Sequence, residues 1–459
     1  MDKVNRSYLV WITIAATLGG FLFGYDTAVI SGAIKSLKEY FSLTDAQEGF
    51  AVSSALIGCI VGALLASYVS NALGRKLSLF ISAFLFFISA LGTALAAGFE
   101  FFITFRLIGG IGVGLASMLS PMYIAEISPA KYRGRMVSLY QMAIVTGIFL
   151  VFFVNYLIAL QGDDEWNLNL GWRWMFGSET LPAALFFFGL FFIPESPRWL
   201  TIKGKEDKSL SILSKINGPE RAQEVLSEIK ESLQKEKPKF IYLFKKTALL
   251  ALFIGIGLSI FQQVTGINAI MYYAPKIFES FGSGRNASLF QNIFVGGVNF
   301  IFTIVAIYTI DRFGRKPLLI IGVIGMIVSL FIVGLGAYLE ISGVWQLPVI
   351  LIFVASFAMS WGPVVWVMLS EIFSNKIRNY AMAIAIFAQW AFNFLVSQSF
   401  PMITGSEYLN EHFHGAFPFW LFAFMGVLAL IFVWKLIPET KNKTLEEMEA
   451  LWESRIKKK

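Results

Sequence analysis

Twelve separate runs of about 20 predominantly apolar residues, each long enough as helix to cross a hydrocarbon core of about 30 Å, recur along the chain. Their centres lie near Ala15, Gly58, Phe86, Gly112, Ile148, Leu185, Gly257, Phe300, Ile327, Ala355, Ala388 and Val427. A soluble core has no room for so many. Of the 459 residues, 56% are hydrophobic and 46 are Phe, well beyond the usage of a soluble domain. Only a helix or a closed barrel satisfies its backbone hydrogen bonds in lipid, and runs of this length predict helices. The expected fold class is an all-α membrane protein with twelve transmembrane helices.

The first run is too long for a signal-peptide core and has no small-residue cleavage site, so it reads as a retained helix. Both termini then share one side. Alternate short loops on that face hold Arg75 and Lys76, then Lys131, Arg133 and Arg135, then Arg312, Arg315 and Lys316, then Lys376 and Arg378. The opposite loops hold Lys35, Lys38, Arg173, Lys276 and Arg285 against acids that include Asp163, Asp164, Glu165, Glu340, Glu407 and Glu411. By the positive-inside rule both termini are expected on the cytoplasmic side of the lipid bilayer. These loop cations and the Lys-rich tail account for the net charge of +7, so no nucleic-acid partner is implied. The single cysteine, Cys59, lies inside an apolar run and excludes an intrachain disulfide.

The chain divides at one long hydrophilic stretch. Residues 1–193 form a six-helix half, 194–246 a cytoplasmic linker, 247–437 a second half and 438–459 a tail. Within the linker, KEDKSLSILSKI and RAQEVLSEIKESLQK have apolar residues at three-to-four spacing, as amphipathic helices do. NALGRK at 71–76 recurs as DRFGRK at 311–316, PESPRW at 194–199 as PETKNK at 438–443, and the pair Glu126, Arg133 as Glu371, Arg378. One order and a nearly constant offset indicate an internal duplication with parallel repeats.

With PESPRWL (194–200), IFQQVTGINAIMYYAP (260–275), PETKNKTLEE (438–447), GYDTAVISG (24–32), AMSWGPVVWVMLSEIF (358–373) and LEEMEALWE (445–453), these elements resemble the sugar porter family of the major facilitator superfamily, and its bacterial D-xylose/proton symporters in particular. The resemblance covers the whole chain. It implies two pseudo-symmetric halves, a substrate site at the midplane, a bacterial inner membrane, and a protein that functions as a monomer. The activity it implies is proton-coupled symport of a monosaccharide, D-xylose first, glucose or another aldose second.

Three ionisable residues interrupt apolar runs: Asp26 in the first, Arg106 in the fourth and Glu179 in the sixth. A charge at mid-membrane costs roughly 2.5–3.5 kcal/mol on insertion scales, so each reads as functional. The expected topology places all three at similar depth in the outer half. Two acids around one arginine leave one carboxylate without a full counter-charge, which suits a proton carrier; a permanent ion pair is the other reading. The family's symporters have an aspartate at the position of Asp26, near an arginine of the fourth helix, and its facilitators a neutral residue.

A sugar site needs side-chain amides, which donate and accept at once, and aromatic faces. Gln262, Gln263, Asn268, Tyr272 and Tyr273 lie in the seventh run, with Gly266 a predicted helix break. Gln141, Asn299, Trp366, Gln389 and Trp390 lie in others. The resemblance puts Gln141, Gln262, Gln263, Asn268, Trp366 and Gln389 on the sugar, and Phe23, Tyr272, Asn299 and Trp390 near it. It also marks two departures. Ile148 stands where the xylose symporters have a second glutamine, which leaves the preference between pentose and hexose open. Asn71 stands where the family has an aspartate.

Arg75, Glu126, Arg133, Arg315, Glu371 and Arg378, with Glu195 and Glu439 just beyond, fall at predicted cytoplasmic helix ends. Exposed pairs are worth only about 0–1 kcal/mol singly, but a network of them spanning both halves would form a cytoplasmic gate that, when closed, favours the outward-open state. An enzyme is not expected, and neither a cofactor nor a metal. The two histidines, His412 and His414, sit in one outer loop, and no HExxH, Walker or GxSxG element occurs. An uncoupled sugar uniporter is the near alternative, opposed by Asp26; a membrane sugar sensor is the remoter one.

Overall fold

A computed structural model describes residues 5–234, 240–341, 343–374, 377–441, 447–448, 451–452 and 454. Lys376, residues 235–239 of the linker and most of the tail therefore lie outside the described residues. Twelve helices among the rest are long and apolar enough to span a membrane. Spans 1 to 6 are Ser7–Tyr40, Asp45–Leu73, Arg75–Ala94, Phe99–Ile127, Tyr132–Ala159 and Asp164–Phe192; spans 7 to 12 are Lys246–Ser280, Arg285–Phe313, Arg315–Tyr338, Gln346–Ile372, Tyr380–Thr404 and Phe417–Leu436. Each expected centre falls inside one of them, and no strand occurs among the described residues. The linker contains the two amphipathic helices, Glu206–Asn217 and Pro219–Gln234, preceded by a short one at Pro197–Ile202.

The chain forms two compact units. Unit 1 takes Met1–Val29, Ser54–Val154 and Leu170–Glu236; unit 2 takes Ile30–Ser53, Asn155–Asn169 and Lys237–Lys459. Thus the ends of spans 1, 2, 5 and 6 at the acidic-loop face belong to unit 2, although by sequence they are part of the first repeat.

Small residues set the packing of unit 1. In lipid, helices associate through close backbone contact rather than hydrophobic burial, and glycines four apart permit it. Gly58 and Gly62 on span 2 face Gly110 and Gly114 on span 4: a methyl on Gly110 would strike the Ala55 carbonyl, and one on Gly62 the Ile111 carbonyl. Gly24 on span 1 and Gly147 on span 5 likewise abut the carbonyls of Ile144 and Phe21. Because the obstructing atoms are backbone, relief requires the helices to separate. Gly110→Val is therefore expected to destabilise unit 1 by roughly 2–3 kcal/mol, read as a lowered midpoint of thermal unfolding in detergent.

Three spans are broken where chemistry is concentrated. Span 7 ends its first helix at Val264 and restarts at Ile267, with Gly266 between them at φ +89°, a conformation costly for any residue with a Cβ. The predicted break is where the sequence put it. Span 10 breaks between Ala358 and Trp361, and span 6 between Gly177 and Thr180. In both, a proline just downstream, Pro363 or Pro182, deprives the carbonyl four residues earlier of its N–H partner.

Candidate functional site

The three intramembrane charges meet in unit 1. Arg106 on span 4 donates from one terminal nitrogen to Asp26 Oδ1 at 2.9 Å and to the Asp26 carbonyl at 3.2 Å. Glu179, at the break in span 6, has Asp26 and Arg106 as its principal electrostatic neighbours. All three are only 1% exposed. Glycine at 109 leaves room for Ser89 beside this pairing, since a methyl there would strike the Ser89 side chain while meeting Asp26 Oδ1 only at ordinary contact distance, 3.5 Å. The Tyr25 and Ser178 hydroxyls, each one residue before an acid, are hydrogen-bonded at 2.7 Å and tie span 1 to the break in span 6.

Three buried oxygens, Asp26 Oδ2 and both carboxyl oxygens of Glu179, receive no hydrogen bond. Buried carboxylates without donors are expensive, and one guanidinium neutralises one of them. A single proton held between the two acids supplies both the missing donor and the missing charge. The cluster is therefore balanced with one proton aboard and unbalanced by one charge without it.

The amides of span 7 form a relay in unit 2. Asn268 donates to Gln263 Oε1 at 2.6 Å, Gln263 to Gln262 Oε1 at 3.2 Å, and Gln262 to the carbonyls of Trp361 and Gly362 at 2.8 and 3.2 Å, at the restart of span 10. Each amide orientation is thereby fixed by the next. Gln262, Gln263, Tyr272 and Trp390 are buried, while Asn268, Trp366 and Gln389 are half-buried. The side chains of Asn299, Trp366 and Gln389 make no hydrogen bond to protein among the described residues, and Gln389 Oε1 is buried without a donor. In unit 1, Gln141 on span 5 and Phe23 on span 1 are half-buried, and the Gln141 amide is also unspent; Ile148 on span 5 offers no polar group.

At the basic-loop face the residues expected to form a network spanning both halves instead pair inside each repeat. In unit 1 Arg75 grips Glu126 through two nitrogens, both at 2.9 Å, and Ser196 adds a hydrogen bond to the same carboxylate. In unit 2 Arg315 grips Glu371 at 2.8 and 3.2 Å, with Thr440 in the place of Ser196. Glu195 and Glu439 accept from the backbone N–H groups that begin spans 3 and 9. Burial pushes the Glu195 carboxyl above its ordinary range. Glu439 also loses solvent, but four backbone donors outweigh that and hold it below. Asp311 adds a contact to Arg315 at 3.1 Å that Asn71 does not supply to Arg75. Arg133 and Arg378 pair with no carboxylate among the described residues; each donates to a backbone carbonyl, of Ala125 and Phe373.

Sequence reasoning counted Lys35, Lys38, Lys276, Arg285 and Asp164 as loop charges but missed Glu48, Glu279 and the pairing of the set in unit 2, because these residues begin or end helices where charge is ordinary. It also missed the facing glycines, though GCIVG at 58–62 and GIGVG at 110–114 were there to be read.

The chain matches the family profile "Sugar (and other) transporter" over residues 12–452. It is 49% identical to the D-xylose-proton symporter of Escherichia coli, covering 99% of this chain and 98% of the relative. Identity to the arabinose-proton symporter of Bacillus subtilis is 43%, over 98% of this chain and 96% of that one. Identity to the glucose facilitated diffusion protein of Zymomonas mobilis is 37%, over 99% of each. Among solved structures, the inward open conformation of the E. coli xylose transporter superposes with a TM-score of 0.87, at 47% identity over 97% of this chain and all of that one. The same transporter bound to 6-bromo-6-deoxy-D-glucose superposes at 0.80, at 49% identity over 98% of this chain and all of that one.

Proposed function

The chain belongs to the sugar transporter family and has the major facilitator fold, and from that premise we propose that it carries a monosaccharide into the cell together with one proton. It is a multi-pass membrane protein whose relatives are transporters rather than enzymes. The proton is carried by Asp26, with Arg106 and Glu179 setting its occupancy. The observation that carries this reading is the buried cluster of two acids and one arginine, one proton short of balance. A uniporter has no use for a carboxylate so costly to bury, and symporters are among the relatives most similar in sequence.

The sugar is held by Gln262, Gln263 and Asn268, whose relay presents fixed donors and acceptors, by the unspent amides of Gln389, Asn299 and Gln141, and by the rings of Trp366, Trp390, Tyr272 and Phe23. D-xylose is the first candidate. Ile148 removes one polar contact, and arabinose and glucose are what the other relatives carry, so those sugars are the comparison set. Arg75, Glu126, Arg133, Arg315, Glu371 and Arg378 govern access at the basic-loop face, which on the charge rule is cytoplasmic, with both termini, in a bacterial inner membrane. The protein works as a monomer in that bilayer.

In vesicles holding a pH dye, xylose, glucose, arabinose or galactose added outside is expected to acidify the interior. The sugar that does so at the lowest concentration is the substrate. Labelled sugar entering with a flat pH trace would make the protein a uniporter and reduce Asp26 to a partner of Arg106.

A further inference from the structure

At the acidic-loop face of unit 2, the first repeat is fastened to the second by side chains that the transport reading does not use. Glu48, in the first turn of span 2, is 1% exposed and lies between two lysines. It accepts from Lys38, at the end of span 1, at 2.8 Å, and from Lys276, near the end of span 7, at 2.6 and 2.9 Å. Lys35 of span 1 pairs with Glu279 of span 7 at 2.8 Å. Arg285, opening span 8, reaches Asp164 at the start of span 6 at 3.3 Å and donates to Ser36. Gln398 of span 11 accepts from Ser53 at 2.7 Å and donates to the Ala46 carbonyl at 2.8 Å. Apart from Lys38–Glu48, every one of these contacts joins a residue before 170 to one after 270.

We propose that Glu48 is a positioning residue of the transport cycle, clamping the acidic-loop ends of spans 1 and 2 against span 7 and so holding that side shut. A path for sugar from this face must part spans 1 and 2 from span 7, which the Lys35–Glu279 and Glu48–Lys276 pairs join. The pairs differ in what they leave behind. Lys276 is 34% exposed and turns to water when released, and Lys38 keeps its pair with Asp45 at 2.5 Å, whereas Glu48 is wholly enclosed while the clamp is shut. Loss of Glu48 therefore costs the closed state alone, and the equilibrium moves toward opening at this face. The inference goes beyond the transport reading and concerns only which face is closed, so the test below needs no sugar and no proton gradient.

The reporter is Leu289→Cys, in a Cys59→Ser background with no other cysteine. Leu289 is buried and lines one small cavity with Ser31, Lys35, Lys276 and Glu279, the last three of them residues of the fastening pairs. Its reaction with a bulky polar maleimide, in purified full-length protein in lipid nanodiscs, reads opening at this face alone. Slow labelling is expected in the reporter background, and a rate at least about fivefold higher with Glu48→Gln or Lys276→Gln. The exchanged pair Glu48→Lys with Lys276→Glu, made together with Lys38→Gln so that no second lysine faces the new one, is expected to return the rate toward that of the background, because the contact is remade with its charges reversed. Labelling at the background rate in both single variants overturns the proposal. So does a rate that stays high in the exchanged pair, which would mean local loosening rather than a clamp.

Discussion

Asp26→Asn is expected to abolish sugar-dependent acidification of vesicles while counterflow of labelled sugar across the same membrane survives. The amide keeps the shape of the side chain and can still accept from Arg106, but it cannot take up a proton at any accessible pH. With the site neutral, no charge accompanies the sugar, and the membrane potential no longer acts on the loaded carrier. One coupled charge is worth about 2.3 kcal/mol per 100 mV, so steady-state accumulation at 100 mV should fall by about fiftyfold, to the outside concentration. Binding should survive, because the amides proposed to hold the sugar are on spans 5, 7, 8 and 11 and make no hydrogen bond to Asp26. Loss of counterflow together with coupling would place Asp26 in the conformational cycle rather than in proton carriage alone. Acidification that persists would move the proton to Glu179.

How much of this was open to inspection in the sequence depends on how unusual each residue is where it stands. A membrane span admits so few charges that Asp26, Arg106 and Glu179 advertise themselves, and alternating topology alone put them at one depth. Their pairing, 80 residues apart, followed from having no other choices. Gly266 was legible for the same reason, as a helix breaker between amides. Glu48 and Lys276 are farther apart, 228 residues, and occupy helix ends where acids and lysines are commonplace. Nothing local distinguishes a clamped carboxylate from a solvated one. The partner of Gln262 was hidden for another reason: it is a pair of backbone carbonyls at the restart of span 10, and backbone acceptors carry no signature in sequence beyond the proline that breaks the helix. The Arg75–Glu126 and Arg315–Glu371 pairs were visible as residues but not as pairs, since the regular seven-residue spacing drew the eye to Arg133 and Arg378 instead.

Arg106→Met should be the most destabilising single change in unit 1. Arg106 is 1% exposed, donates twice to Asp26, and has its guanidinium 5.6 Å from the centre of the Phe176 ring. Methionine fills much of the same volume but leaves Asp26 and Glu179 facing each other without a cation. Breaking a buried pair by removing one partner typically costs about 3–5 kcal/mol, because the remaining charge is neither solvated nor neutralised. The thermal midpoint in detergent should drop accordingly. The double variant Arg106→Met with Asp26→Asn should recover at least half of that loss, since it removes the stranded carboxylate, and the coupling between the two positions gives the energy of the contact itself. The same double variant has no arginine to hold and no acid to titrate at position 26, so its recovered stability should come without recovered proton transport. Equal losses in the single and double variants would mean that Arg106 contributes by packing against Phe176 rather than by charge, and the account of a cluster one proton short of balance would fail with it.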